Sequence, residues 1–102
     1  MKNIHSISAS GILKILAGLK PEARQRFRAE IKGIFGSYVR GEQKEGSDLD
    51  VLVEFEEGAN LLDLTGLADF LEEKLSLKVD VVPESALREE IRGIVLKEKV
   101  TV

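Results

Sequence analysis

Two short strings at a fixed interval constrain this chain more than anything else in it: Gly36-Ser37, ten intervening residues, then Asp48-Leu49-Asp50. Leu49, Val51, Val53 and Phe55 alternate with Asp48, Asp50 and Leu52, the period-2 pattern of a strand with one apolar face. The two carboxylates therefore share the opposite face. Same-face neighbours on a strand lie about 7 Å apart at Cα, from a rise of about 3.3 Å per residue, so both can reach one divalent cation or bridge two. Carboxylate oxygens are hard ligands that favour Mg²⁺ or Mn²⁺ over zinc, and with no cysteine in the chain there is no thiolate to argue otherwise.

Upstream, Lys32 to Phe35 reads as a short strand that breaks at Gly36-Ser37 into a helical segment. Glycine at such a break lets an anion approach the backbone closely, the N–H groups that open the helix point at it, and the serine hydroxyl adds a donor. Arg40 follows Ser37 by about one helical turn, within reach of the same anion. Gly41 to Ser47 is polar, holds two glycines and forms a loop at the lip of the site. Anion site and cation site thus face each other across that loop.

The string Gly36-Ser37-Tyr38-Val39-Arg40-Gly41 through Gly46-Ser47-Asp48-Leu49-Asp50 resembles the signature of the nucleotidyltransferase superfamily typified by DNA polymerase beta, and within it the minimal nucleotidyltransferase (MNT) branch. Asp80, in Lys78-Val79-Asp80-Val81-Val82, matches that family's third acidic residue. The resemblance implies an α+β nucleotidyltransferase fold, a small mixed β-sheet packed with helices. It implies catalytic and metal-binding roles for Asp48, Asp50 and Asp80, and nucleotide binding by Gly36, Ser37, Arg40 and Ser47. Two Mg²⁺ ions, with Mn²⁺ as a substitute, would serve the transfer of NMP, AMP from ATP, to a hydroxyl of a partner protein. The implied partner is a HEPN-domain RNase toxin, AMPylated on a tyrosine by this chain as its antitoxin. The alternative is an antitoxin that neutralises its HEPN partner by binding alone. Transfer to a small molecule such as an aminoglycoside would call for a further binding domain.

At 102 residues the chain is long enough for one domain with its own core and no dedicated acceptor-binding domain. We divide it into N-terminal helices over 8–31, a catalytic core over 32–83, and a C-terminal helix and tail over 84–102. Fifteen basic against 18 acidic residues give a net charge of −3 and no electrostatic reason to expect nonspecific nucleic-acid binding. No stretch has the pattern of a signal peptide or the length of a membrane span, so a cytoplasmic location is the expectation.

Ser8 or Ser10 caps a first helix with Ile12, Ile15, Leu16 and Leu19 on one face, ended by Gly18 and Pro21. A second helix is expected from Pro21 to about Ile31, with Ala23, Phe27 and Ile31 inward and Arg24, Arg26, Arg28 and Lys32 outward. Asn60 caps a helix whose stripe of Leu61, Leu64, Leu67, Ala68, Leu71 and Leu75 belongs to the core, and Gly66 marks close packing on the sheet. Pro83 stops the third strand, and Ser85 caps a last helix with Leu87, Ile91, Ile94 and Val95 inward. Lys99 to Val102 adds an edge strand, where Val100 and Val102 could pair with a second copy. His5, in a loosely held Met1 to Ser8 tail, is a poor general base.

Overall fold

A computed structural model describes residues 8–102. The expected tail, with His5, lies outside the described residues except for Ser8. The elements run α1 (Ala9–Phe27), β1 (Ala29–Phe35), α2 (Ser37–Arg40), β2 (Leu49–Phe55), α3 (Leu61–Leu75), β3 (Val79–Pro83), α4 (Glu89–Glu98) and β4 (Val100–Thr101).

The strands form one mixed sheet in the order β3-β2-β1-β4. β1 runs antiparallel to both β2 and β4, and β2 runs parallel to β3. A parallel pair needs a crossover, and α3 supplies it. Asn60 opens α3 with a reciprocal cap: its side chain accepts the Asp63 N–H at 3.2 Å, and the Asp63 carboxylate accepts the Asn60 N–H at 3.0 Å.

α1 and α3 cover one face of the sheet. Leu49, Val51 and Val53 of β2, and Val79 and Val81 of β3, point into that layer against Leu16, Leu67, Leu71 and Leu75. The strand residues between them, Asp50, Leu52 and Asp80, therefore point to the other face, as the alternation in the sequence requires.

The two helices expected before β1 are a single one. α1 runs through Pro21 without a break, because Ala17, whose carbonyl loses its partner to the proline ring, sits on the exposed face beside Gly18 and Pro21 where water can replace the bond. The helix ends at Arg28, which takes a left-handed conformation at φ 56°. Ile31, expected on a helix, lies in β1. The register of β1 against β2 slips between Ile31 and Gly33, so Lys32 is an extra, bulged residue. That bulge puts Ile31 and Ile34 on the same buried face, three residues apart.

Gly66 does mark a close approach, but to α1 rather than to the sheet: a Cβ there would stand 2.8 Å from the Phe27 ring. The Phe27 ring in turn packs at 5.5 Å from that of Phe70. Leu61 of the expected core stripe is 70% exposed, since it lies on the capping turn above the core.

β3 stops at Pro83, as expected, with the proline as its last residue, whereas Ser85 sits in a 3₁₀ turn over Glu84–Ala86 instead of capping α4. α4 opens at Arg88 with no side-chain cap. Of its expected inward residues only Val95 is buried, and Ile94 is 65% exposed. The edge strand is present as β4, with the Val102 N–H donating to the bulged Lys32 carbonyl at 3.1 Å.

Candidate active site

Asp50 and Asp80 are register partners on the parallel pair β2 and β3. Strands stand about 4.8 Å apart, so two carboxylates on the same face of directly paired residues lie side by side. The start of β3 is tied down from two directions: its Val79 N–H donates to the Glu72 carboxylate at 2.9 Å, and the Lys78 carbonyl accepts the Leu49 N–H at 2.8 Å. Asp48 precedes β2 directly and is exposed, as is Asp80, whereas Asp50 is half-buried.

On its other side Asp50 pairs with Phe35, the last residue of β1. Gly36 comes next, and its backbone at φ 84°, ψ −152° is open to glycine almost alone. The second reason for glycine is space, because a Cβ at position 36 would collide with the Asp50 carboxylate. The turn and the carboxylate are thus in direct contact. Ser37 opens α2, whose Val39 and Arg40 N–H groups turn back to the Gly36 carbonyl at 3.0 and 3.1 Å. The earliest N–H groups of a helix have no acceptor within it.

Burial first, and then the charges of Asp80 and Asp48, push the Asp50 carboxyl up to about 6; Arg40 opposes the shift. Tyr38 faces into the core at 3% exposure, and burial and the Asp48 charge push its hydroxyl above its ordinary range.

Arg40 is held by two acids, Glu42 at 2.9 Å and Glu98 at 2.8 Å. Glu98, at the end of α4, also accepts the Gly36 N–H at 2.8 Å. No local spacing in the sequence points to this residue. Ser47 turns its hydroxyl inward to the loop, where it accepts the Lys44 N–H at 2.8 Å. Beside that loop lies a cavity of about 210 Å³ lined by Tyr38, Ser47, Ser76 and Lys78 among others. A larger cleft of about 500 Å³, lined by Lys20, Pro21, Arg24, Gln25 and Glu30, lies away from the carboxylates.

The basic cluster on the second expected helix proves to be internally matched. Arg24 faces Glu30 and Glu56, Arg26 pairs with Glu22 at 2.8 Å, Lys32 faces Glu54, and Arg28 donates to the Gly58 carbonyl.

As a test of metal binding, the donor set is chemically suitable: three hard carboxylates, one of them raised in pKa by burial and then by the charges of the other two. Among the described residues, however, no three acidic or histidine side chains are drawn into a ready-made cage. The carboxylates face one another and would have to close upon an ion.

A small mixed sheet with carboxylates on paired parallel strands, beside a glycine-serine turn that opens a helix, defines a nucleotidyl-transfer domain. The family model for the nucleotidyltransferase domain matches residues 16–102. The protein adenylyltransferase MntA of Thermococcus cleftensis is 50% identical over 91 residues, covering 89% of this chain and 92% of that protein. A solved structure described as a minimal nucleotidyltransferase superposes with a TM-score of 0.71 at 40% identity, covering 88% of this chain and 95% of the other. The fold is shared as well with a chain in a crystal structure of a toxin-antitoxin with AMP-PNP, at TM-score 0.66 and 23% identity, over 93% of this chain and 72% of that one. The chain belongs to the nucleotidyltransferase domain family, in its minimal branch, and is an enzyme of nucleotidyl transfer.

Proposed function

We propose that this chain transfers AMP from ATP to a hydroxyl of a partner protein, and that the partner is a HEPN-domain RNase toxin for which it is the antitoxin. The observation that carries the chemistry is the register pairing of Asp50 with Asp80 on the open face, against Gly36. The name of the Thermococcus relative, a protein adenylyltransferase, supports the choice of nucleotide and of a protein acceptor. The toxin-antitoxin setting of the MNT resemblance supports the partner.

In this reading Gly36 and Ser37 offer backbone N–H groups and a hydroxyl to the β and γ phosphates, and Arg40 supplies the counter-charge. Ser47 keeps the loop over the nucleotide in shape. Asp48, Asp50 and Asp80 would hold Mg²⁺, which when bound would neutralise the charge developing on the attacking and leaving oxygens. The acceptor oxygen forms its bond to the α phosphorus as the bond from that phosphorus to the bridging oxygen breaks. Pyrophosphate leaves with the electron pair, and Asp80 takes the hydroxyl proton.

Incubation with labelled ATP, Mg²⁺ and the candidate toxin tests the proposal. Label should appear on the toxin with the natural chain and fall by about 100- to 1,000-fold, the order expected when charge stabilisation at the reacting centre is lost, with Asp48→Asn. A tight complex that never acquires label would overturn the catalytic reading and leave neutralisation by binding.

A further inference from the structure

Glu98 is the last residue of α4, and the one carboxylate of this side chain occupies two of the groups that the proposed function assigns to the triphosphate, the Gly36 N–H and Arg40. Its Oε1 accepts the Gly36 N–H at 2.8 Å and its Oε2 accepts Arg40 Nη1 at 2.8 Å. A backbone N–H and a guanidinium converging on two oxygens of one anion is the arrangement by which proteins hold a phosphate. We propose that Glu98 is an internal phosphate surrogate, holding the Gly36-Ser37 turn in the nucleotide-free chain, and that a nucleoside triphosphate binds by displacing it. This rests on the reading that Gly36 and Arg40 receive the triphosphate.

Four further features fit a group meant to be displaced. An acid at the C-terminal end of a helix meets the negative end of the helix dipole, so its position there is held by its partners and not by the helix. Those partners, Arg40 first and then the Gly36 N–H, hold the Glu98 carboxyl below the usual range, so it stands as an anion. α4 is also lightly anchored. It buries only Val95, starts without a side-chain cap, and apart from Glu98 is tied by Arg92 Nη2 to the Glu84 carbonyl at 3.1 Å and, beyond its last turn, by the pairing of β4 with β1. Releasing Glu98 therefore uncovers little core. The Glu98 side chain is 21% exposed and Arg40 47%, so an incoming anion has access to the pair.

The competing role is a strut: Glu98 could shape the turn so that nucleotide binds better with it than without it. The two roles predict opposite signs. Calorimetric titration of the full chain with inorganic tripolyphosphate and with ATP, both in Mg²⁺, separates them. A surrogate that occupies the site most of the time lowers apparent affinity by the vacant fraction, and the modest strength of a partly exposed ion pair sets this at about threefold to tenfold. Glu98→Gln and Glu98→Ala should therefore tighten Kd for both probes by that factor, and lower KM for ATP with kcat unchanged. Glu98→Gln is isosteric and still accepts the Gly36 N–H, so it decides the matter if the alanine variant melts early by circular dichroism. Unchanged or weaker binding by Glu98→Gln, with the natural chain still binding, would overturn the surrogate and leave the triphosphate site standing. Failure of the natural chain and both variants to bind either probe would overturn the triphosphate site along with it.

Discussion

At Asp50, burial and the facing charges of Asp80 and Asp48 raise the carboxyl from 3.8 to about 6. The folded state then binds a proton more tightly than the unfolded chain, so stability falls as pH rises from about 4 to about 6 and the loss is complete above that window. Discounted for the half-exposed position of the group, the loss is about 1 kcal/mol. Asp50→Asn should recover it, raising the unfolding midpoint by about 4–8 °C at pH 7.5 and by almost nothing at pH 4. Thermal melts at the two pH values, in EDTA, check this. An equal gain at both would mean that the charge cluster is not the cause. At this scale strand period placed Asp48 and Asp50 on one face and turn chemistry singled out Gly36, whereas Asp80 was named through the family resemblance; Asp50 and Asp80 then prove to be register partners. Glu98 was not legible in the sequence, because its bond to Gly36 spans 62 positions of chain and depends on where α4 is laid down.

The elements show where local pattern misleads. Ala23, Phe27, Ile31 and Ile34 recur at intervals of four, four and three, a helical spacing, yet the last two lie on β1. The bulge at Lys32 restores to one face residues that strict alternation would separate. Period alone cannot distinguish a bulged strand from a helix. The end of α4 is decided in a similar way, since β4 pairs Thr101 with Gly33 and Val100 with Ile34. A Cβ at Gly33 would collide with the Val100 carbonyl, which is backbone and cannot swing aside. Gly33→Ala should thus detach β4, at a cost of about 1–2 kcal/mol, and abolish exchange protection of the Val102 N–H while that of Val51 in β2 persists. Retained protection at Val102 would show that the strand edge can shift to admit a methyl group.

For the whole molecule, a Cα radius of gyration of 13.0 Å is that of a compact chain of about 100 residues. No described helix is long and apolar enough to cross a membrane. In the proposed function nucleotide and metal would bind one face of a single sheet, so their binding energy would be transmitted to the unfolding equilibrium of the entire domain. At a hundredfold excess over Kd, Mg²⁺ with ATP should add about 2.7 kcal/mol and raise the midpoint on the order of 10–20 °C. EDTA should remove most of the gain in a scanning fluorimetry experiment. A midpoint indifferent to both would argue against a nucleotide site on this face.

The chain's own residues determined the alternation of β2, the reciprocal cap of α3, the break at Gly36-Ser37 and the side of the sheet on which the carboxylates stand, because each depends on neighbours within a few positions. Tertiary structure decided that α1 is one helix through Pro21, that β1 is bulged, that Asp50 and Asp80 stand in register, and that Glu98 reaches the turn. Those outcomes depend on which surfaces meet in space, and the packing of helices on a sheet sets that, not the spacing of residues along the chain.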